Sequence, residues 1–335
     1  MREERAALRA AVRGLLGGRV ARAADHGEID AGWARLCKEI GVAGLAVPEA
    51  YGGAGATLIE ANVVLTELGR VLSPMPMLGS VLATQALVRS GDDDACARLL
   101  PGICAGEPIA AVAWEGSGEV RDGLISGSFR DVLDAGAAHT LLVAAGGALY
   151  EVDAGRTDRQ LTGTLDLTRR LETVRLDHVP GRRLAGDDPL PGLRDVACVA
   201  LAAEQVGTAE RALELTVEYV KARHQFGRPI GSFQVLQHRL AEAYVRVEAA
   251  RSAAEAAANA VAAGSAEAQR LAAVAKVSCS ETVRAVAAEM VQMHGGIAIT
   301  WEHDAHLYLR RAWASAQLFG SPAGHVARLT PTLLD

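Results

Sequence analysis

The sequence predicts a mainly α protein with a small β-domain set between two helical regions. Three observations carry that reading. The last third of the chain repeats apolar residues at three- and four-residue spacing over stretches far longer than one turn. A middle stretch breaks into short apolar runs separated by turn residues. Alanine is abundant while aromatic residues make up only 4%, a composition suited to closely packed helices.

Residues 1–108 form the first helical domain. Glu3 to Leu16 is amphipathic and stops at Gly17-Gly18. Ile29-Asp30 precedes a second helix that ends near Gly41. A glycine-rich loop follows to Gly55, and helical spacing resumes over Leu58–Leu72 and Gly79–Ser90. Residues 109–188 form the β-domain, with strands predicted at Ile109–Trp114, Gly123–Phe129, Thr140–Ala144, Leu149–Val152 and Val174–Val179. Gly116-Ser117-Gly118, Asp122-Gly123, Gly146-Gly147 and Asp153-Ala154-Gly155 read as turns.

Residues 189–335 are expected to be a four-helix bundle. Its first helix spans about 195–223, with Val196, Val199, Ala203, Val206, Ala209, Leu213, Val217 and Val220 on one face. The second spans about 235–263, with Leu236, Leu240, Tyr244, Val247, Ala250, Ala254, Ala257 and Val261 on its face and Gly264 as its stop. A third covers about 266–293 and ends at Gly295-Gly296. A fourth covers about 304–318.

Half of the 335 residues are apolar, enough for a sizeable core. A net charge of −6 with mixed signs points away from nucleic acid and anionic membranes as partners. The five cysteines, Cys37, Cys96, Cys104, Cys198 and Cys279, show no Cys-x-x-Cys spacing and read as reduced thiols in a cytoplasmic protein. The charged start lacks the apolar core of a signal peptide. No stretch reaches the roughly 18 apolar residues of a membrane helix.

Two segments carry chemistry. Arg223-His224-Gln225-Phe226-Gly227-Arg228-Pro229-Ile230, followed by Phe233-Gln234, places guanidinium groups at a helix end, where they make charge-assisted bonds to a pyrophosphate. Gln292-Met293-His294-Gly295-Gly296-Ile297 offers an amide for an adenine or phosphate edge and a glycine pair that admits close backbone approach. Taken singly, each also reads as the ordinary end of a helix, with Arg223 as a C-terminal cap.

Together they resemble the Arg-x-x-Phe-Gly and Gln-x-x-Gly-Gly elements of the acyl-CoA dehydrogenases. Gly41 to Gly53 with Val47-Pro48-Glu49-Ala50-Tyr51, Glu67-Leu68-Gly69-Arg70, and Trp301 to Arg311 extend the resemblance over nearly the whole chain. It implies an N-terminal helical domain, a middle β-barrel or sandwich and a C-terminal four-helix bundle, assembled as a tetramer. It implies α,β-desaturation of an acyl-CoA thioester with FAD as cofactor and an electron-transfer flavoprotein as electron acceptor. By the same resemblance Arg223, Phe226, Gln234, Gln292, Gly295 and Gly296 contact the adenine and pyrophosphate half of FAD.

The departures fall elsewhere. Family members hold the flavin ring with Thr-Glu-Pro-x-x-Gly-Ser and Trp-x-Thr runs; the matching stretches here are Ala113-Trp114-Glu115-Gly116-Ser117-Gly118 and Arg130-Asp131-Val132-Leu133-Asp134. The catalytic base is expected at Phe319 or, in some members, at Ala197 beside Cys198, and none of these is a carboxylate. The pattern implies the non-catalytic partner of an α2β2 enzyme of the type that acts on steroid side-chain CoA thioesters. One alternative is a homomeric enzyme with a relocated base, for which Glu204 on the first bundle helix is the candidate, although such a residue more often pairs with an arginine across a bundle. Another is a scaffold without flavin. His303 and His306 share a helix face as metal ligands can, but no distant Cys or His group completes a site. Arg310-Arg311 reads as a phosphate contact or, more simply, a helix-end salt bridge. His238 and Arg239 read as solvated or interface residues.

Overall fold

The computed structural model describes residues 2–23, 26–186 and 190–334; the expected boundary at 188 and 189 lies outside the described residues. The first region holds α1 (Arg2–Leu16), α2 (His26–Ile40), α3 (Leu58–Arg70), α4 (Met77–Ser90) and α5 (Asp93–Ala105). α3 begins with a capping box: the Thr57 hydroxyl accepts from the Ile59 amide, and Glu60 accepts from the Thr57 amide. α1 docks on α3 through Arg13, which pairs with buried Glu67 at 2.8 Å.

The middle region holds β1 (Ala110–Ala113), β2 (Gly116–Arg121), β3 (Leu124–Leu133), β4 (Thr140–Ala145), β5 (Ala148–Asp153), β6 (Asp158–Leu161), β7 (Leu171–Pro180) and β8 (Arg182–Arg183). They form two sheets, ordered β1-β4-β5-β8 and β2-β3-β7-β6. Phe129, Ile125, Leu141, Val143 and Val174 fill a shared core. All five expected strands are present. Gly116-Ser117-Gly118, expected as a turn, instead lies within β2, paired residue for residue with β3. β2 and β6 are edge strands with little buried surface, so backbone pairing holds them and apolar alternation does not announce them.

The last region holds α6 (Leu190–Ala222), α7 (Gln234–Ala262), α8 (Ala268–His294), α9 (Ala305–Ser315) and α10 (Pro322–Leu334). Three differences from expectation have physical causes. First, α6 is buried all round from Val196 to Ala209, because it is the central helix against which α3, α4, α7 and α8 pack. The α3 and α6 backbones touch: a Cβ on Gly207 would stand 1.9 Å from the Thr66 carbonyl oxygen, and one on Gly69 would stand 2.1 Å from that of Glu204. Second, the first half of α7 is uncovered. Tyr244 is 58% exposed and Leu236 and Leu240 are half-buried, although all three fall on the expected apolar face. Third, α9 stops at Ser315, and α10 begins at Ser321-Pro322, where the Ser321 hydroxyl accepts from the Gly324 amide and Pro322 takes the first helical position.

The three regions meet at Arg311, which is buried and therefore unavailable as a phosphate contact. Its guanidinium pairs with Asp166 at 2.6 Å and with Glu204 at 2.9 Å. It also donates to the carbonyl oxygens of Leu72 and Ser73 and to the Thr168 hydroxyl. Arg169 adds a second bond to Glu204. Burial favours a protonated Asp166, but Arg311, Arg169 and the Thr168 bonds together hold this carboxyl below its ordinary value.

Arg311→Met should destabilise the protein by about 3–5 kcal/mol, because it leaves the buried Asp166 and Glu204 with Arg169 as their one shared cation. Arg310→Met, one residue away and half-buried, should shift stability by under about 1 kcal/mol. Urea unfolding of both variants checks this.

Candidate functional site

The two motifs converge at one end of the helical bundle. Arg223 follows the last residue of α6, and its amide bonds the Tyr219 carbonyl one turn earlier. The Tyr219 hydroxyl reaches across to the carbonyl of His294, the last residue of α8, at 3.2 Å. Arg239 of α7 pairs with Glu289 of α8 at 2.7 Å, so the start of α7 is tied to the same end. Between α6 and α7 the chain makes a hairpin in which His224-Gln225 pairs with Arg228-Pro229. Its two turn residues, Phe226 and Gly227, both take positive φ, as a tight hairpin turn of this hand requires. Phe226 stands at the tip, 89% exposed, edge-on to Phe233, over whose ring Arg228 lies at 4.0 Å.

The side chains of Arg223, Gln234 and Gln292 are exposed and bond no other side chain among the described residues. Gly295 has φ 65° and ψ −144°, a conformation open only to glycine, and nothing lies within 4 Å of where a Cβ on Gly295 or Gly296 would stand. Exposed guanidinium and amide donors beside an unobstructed backbone suit a pyrophosphate and an adenine edge. These residues therefore fit the adenosine diphosphate half of FAD. Sequence reasoning missed Tyr219 and His294 as parts of this site. The Tyr-x-x-x-Arg spacing, which stacks Tyr219 under Arg223 on the helix, was the available signal.

The positions where the resemblance expects a base lie in the core. Ala197 and Cys198 are buried on α6, and burial pushes the Cys198 thiol up to about 12. Phe319 is buried with its ring edge-to-face on Trp114, centroids 5.7 Å apart. Phe319 thus meets the strand end that, in the family, begins the ring-holding run. Its backbone sits at φ 60°, and its carbonyl oxygen accepts from His325 Nε2 at 3.0 Å. The preceding turn is fixed by Lys276, fully buried, whose Nζ donates to the Ala316 carbonyl at 2.8 Å and the Ser280 hydroxyl at 3.0 Å. Burial pushes the Lys276 amine down to about 8. Nothing in the local sequence marked Lys276, one lysine in an alanine-rich helix.

Glu204 is held by Arg169 and Arg311, which makes it the cross-bundle ion pair that the sequence also allowed rather than a free proton acceptor. In the matching stretch of β3, Asp131 and Asp134 take positive φ around a bulge, and no aromatic residue stands there. His303 stacks on His294 at 4.5 Å, and His306 packs on Trp301. No group of three or more metal-ligating side chains occurs among the described residues. Arg310 reaches the Leu165 carbonyl, His238 is exposed, and Arg239 forms the α7–α8 pair above. No described helix is long and apolar enough to cross a membrane.

Comparison with known proteins matches residues 2–107 to the acyl-CoA dehydrogenase N-terminal domain and residues 195–329 to the acyl-CoA dehydrogenase C-terminal domain. The chain is 43% identical to the acyl-CoA dehydrogenase IpdE2 of Mycobacterium tuberculosis, over 98% of this chain and 95% of that protein. Among solved structures, a chain of the steroid acyl-CoA dehydrogenase Tcur3481–Tcur3483 superposes with a TM-score of 0.91 at 30% identity, covering 99% of this chain and 98% of that one. A chain of the ChsE4–ChsE5 complex of Mycobacterium tuberculosis superposes with a TM-score of 0.88 at 26% identity, covering 99% and 97%.

The lowered Lys276 value has a measurable consequence. The amine prefers its neutral form when folded, so its contribution favours folding above the unfolded value of 10.5 and is lost as pH falls towards about 8. The stability of the native chain minus that of Lys276→Met should therefore rise by up to about 3 kcal/mol between those pH values. Paired denaturant titrations across this range check it; a constant difference would contradict it.

Proposed function

This chain belongs to the acyl-CoA dehydrogenase family, and from that premise we propose that it is the non-catalytic subunit of a heteromeric, α2β2 acyl-CoA dehydrogenase. One contrast carries the reading. The donors suited to the adenosine diphosphate half of FAD face outward from the bundle end, while the expected base position holds Phe319, packed on Trp114. In this reading Arg223, Phe226, Gln234, Gln292, Gly295 and Gly296 supply that half of a cofactor whose ring and catalytic base belong to a partner subunit. The exposed apolar side chains of Phe226, Ile299 and Trp301 around the site support burial against such a partner.

The reaction proposed is α,β-desaturation of an acyl-CoA thioester. The partner's carboxylate would take the Cα proton, and FAD, when bound, would supply the acceptor for the Cβ hydride, with an electron-transfer flavoprotein as the expected electron acceptor. This chain's residues anchor the cofactor, and its Phe319–Trp114 contact leaves no proton acceptor on its own side. Likeness to the steroid acyl-CoA dehydrogenase pair and to ChsE4–ChsE5 favours a bulky acyl group such as a steroid side chain. Five free, buried cysteines accord with a cytoplasmic setting.

Flavin content tests the reading. FAD should appear only when the chain is co-expressed with its catalytic partner, at one FAD for each pair of chains. One FAD per chain from this protein alone would support a homomeric enzyme instead, and no FAD even with a partner would support a scaffold. Within the complex, Arg223→Ala should weaken FAD binding by about 10- to 100-fold, the value of a charge-assisted bond, as read by flavin fluorescence after dilution. Phe319→Glu alone should give no turnover in the isolated chain, because the ring-holding runs are also replaced; measurable acyl-CoA oxidation would refute that.

A further inference from the structure

Beneath the outward-facing donors lies a cluster of rings whose imidazoles have no role in the proposed reaction. Tyr219, near the end of α6, stacks on His294 with centroids 4.1 Å apart and planes 25° from parallel. His303, from the loop before α9, stands beside this pair, tilted 49° to His294 at 4.5 Å and edge-on to Tyr219 at 6.4 Å. His294 is buried and immediately precedes Gly295-Gly296.

Backbone groups fix the protonation of both imidazoles. His294 Nδ1 lies 2.7 Å from the Met290 carbonyl oxygen, so Nδ1 carries the proton. Its Nε2 is then a bare lone pair, buried with no hydrogen-bond partner. His303 Nδ1 accepts from the Ala305 amide at 3.1 Å, so its proton is on Nε2. A proton added to His294 would be a buried cation without an acceptor. One added to His303 Nδ1 would break the bond to Ala305. Either would place positive charge against the neighbouring imidazole.

The surrounding charges offset this only in part: Asp304 favours a protonated His303, and Arg22 opposes it. Arg22 and Asp304 face His303 but pair with each other at 2.8 Å. His306 stands beyond them beside Arg310, and on the α6 side Tyr219 presents a neutral ring. Burial is the main cause that holds both His294 and His303 below the ordinary histidine value of 6.5.

We infer that Tyr219, His294 and His303 form a neutral ring stack that positions the Gly295-Gly296 turn for the dinucleotide, and that protonating the stack releases the cofactor. The link to the turn is direct. The Tyr219 hydroxyl holds the His294 carbonyl, whose peptide unit leads into Gly295 at its glycine-only conformation. The same tyrosine sits one helical turn before Arg223, so a single side chain sets the spacing between the guanidinium and the glycine pair. The inference rests on the proposed FAD-anchoring role. These three are positioning residues, and no ligand contact is assigned to them.

The test is the dissociation constant of FAD from the complex with the partner subunit, measured by flavin fluorescence from about pH 7.5 to about pH 5.5, with circular dichroism to verify folding. The native complex should bind FAD a few-fold more weakly at the acid end, the loss setting in below about pH 6.5 because both folded-state values lie under it. Tyr219→Phe keeps the ring, removes one hydroxyl bond, and should weaken binding roughly fivefold at neutral pH. His303→Gln and His294→Gln each remove a titrating ring, and at least one should flatten the pH profile. Affinity in Tyr219→Phe equal to the native value, in a complex where Arg223→Ala loses FAD, would overturn the positioning role while leaving the site reading intact. An acid loss undiminished in both glutamine variants would overturn the protonation step. Should Tyr219→Phe fail to fold, the two glutamine variants still decide that step. Indifference of FAD affinity to Arg223→Ala and to all three stack variants would remove the anchoring role itself.

Discussion

The structure depends on the ion cluster around Arg311. One guanidinium on α9 meets a carboxylate from the middle region, a carboxylate from α6 and two carbonyl oxygens that follow α3. The Glu204 pair closes within the last region, whereas the contacts to Asp166 and to the Leu72 and Ser73 carbonyls tie that region to the other two. A buried cation paired with two buried carboxylates is costly to disturb, because removing one member strands the others. Nearby, Tyr308 donates to the Arg70 carbonyl at 2.7 Å, adding a second bond between α9 and the end of α3.

This docking gives the two ends of the bundle different fates. At the inner end, α9 delivers the chain into the Ala316–Gly320 turn, which Lys276 and His325 hold by its carbonyl oxygens. The turn directs Phe319 onto Trp114, and the space beside α6 closes as core. At the outer end, α6 and α8 finish together, and the side chains of Arg223 and Gln292 there face solvent. A closed interior and an open, donor-rich end are what a chain needs if it is to complete a neighbour's site and not its own. The uncovered first half of α7 beside that end adds to the surface available for such a neighbour.

Much of the fold was legible from periodicity and caps. The glycine stops and the long apolar rows of α6, α7 and α8 placed most of the helices to within a few residues. The core strands β1, β3, β4, β5 and β7 announced themselves by apolar runs. β2, β6, α5 and α10 did not. The first two are edge strands whose stability is backbone pairing, and α10 is announced chiefly by its Ser-Pro start. The two motifs were legible as donor-bearing helix ends, while their cofactor role is what the family resemblance implies.

Sequence by itself determined which residues are available: guanidinium and amide donors at helix ends, a glycine pair, and Ala197 and Phe319 where a carboxylate was expected. It did not determine which of these would face solvent. That the Arg223 and Gln292 segments share one end, that Tyr219 and His294 bridge them, and that Glu204 is bound by Arg169 and Arg311 were decided by the tertiary structure. The reason is physical. Periodicity reports which face of a helix is apolar, whereas a buried ion pair or ring stack depends on residues that may be a hundred positions apart, as Glu204 and Arg311 are, and only packing brings such groups within bonding distance.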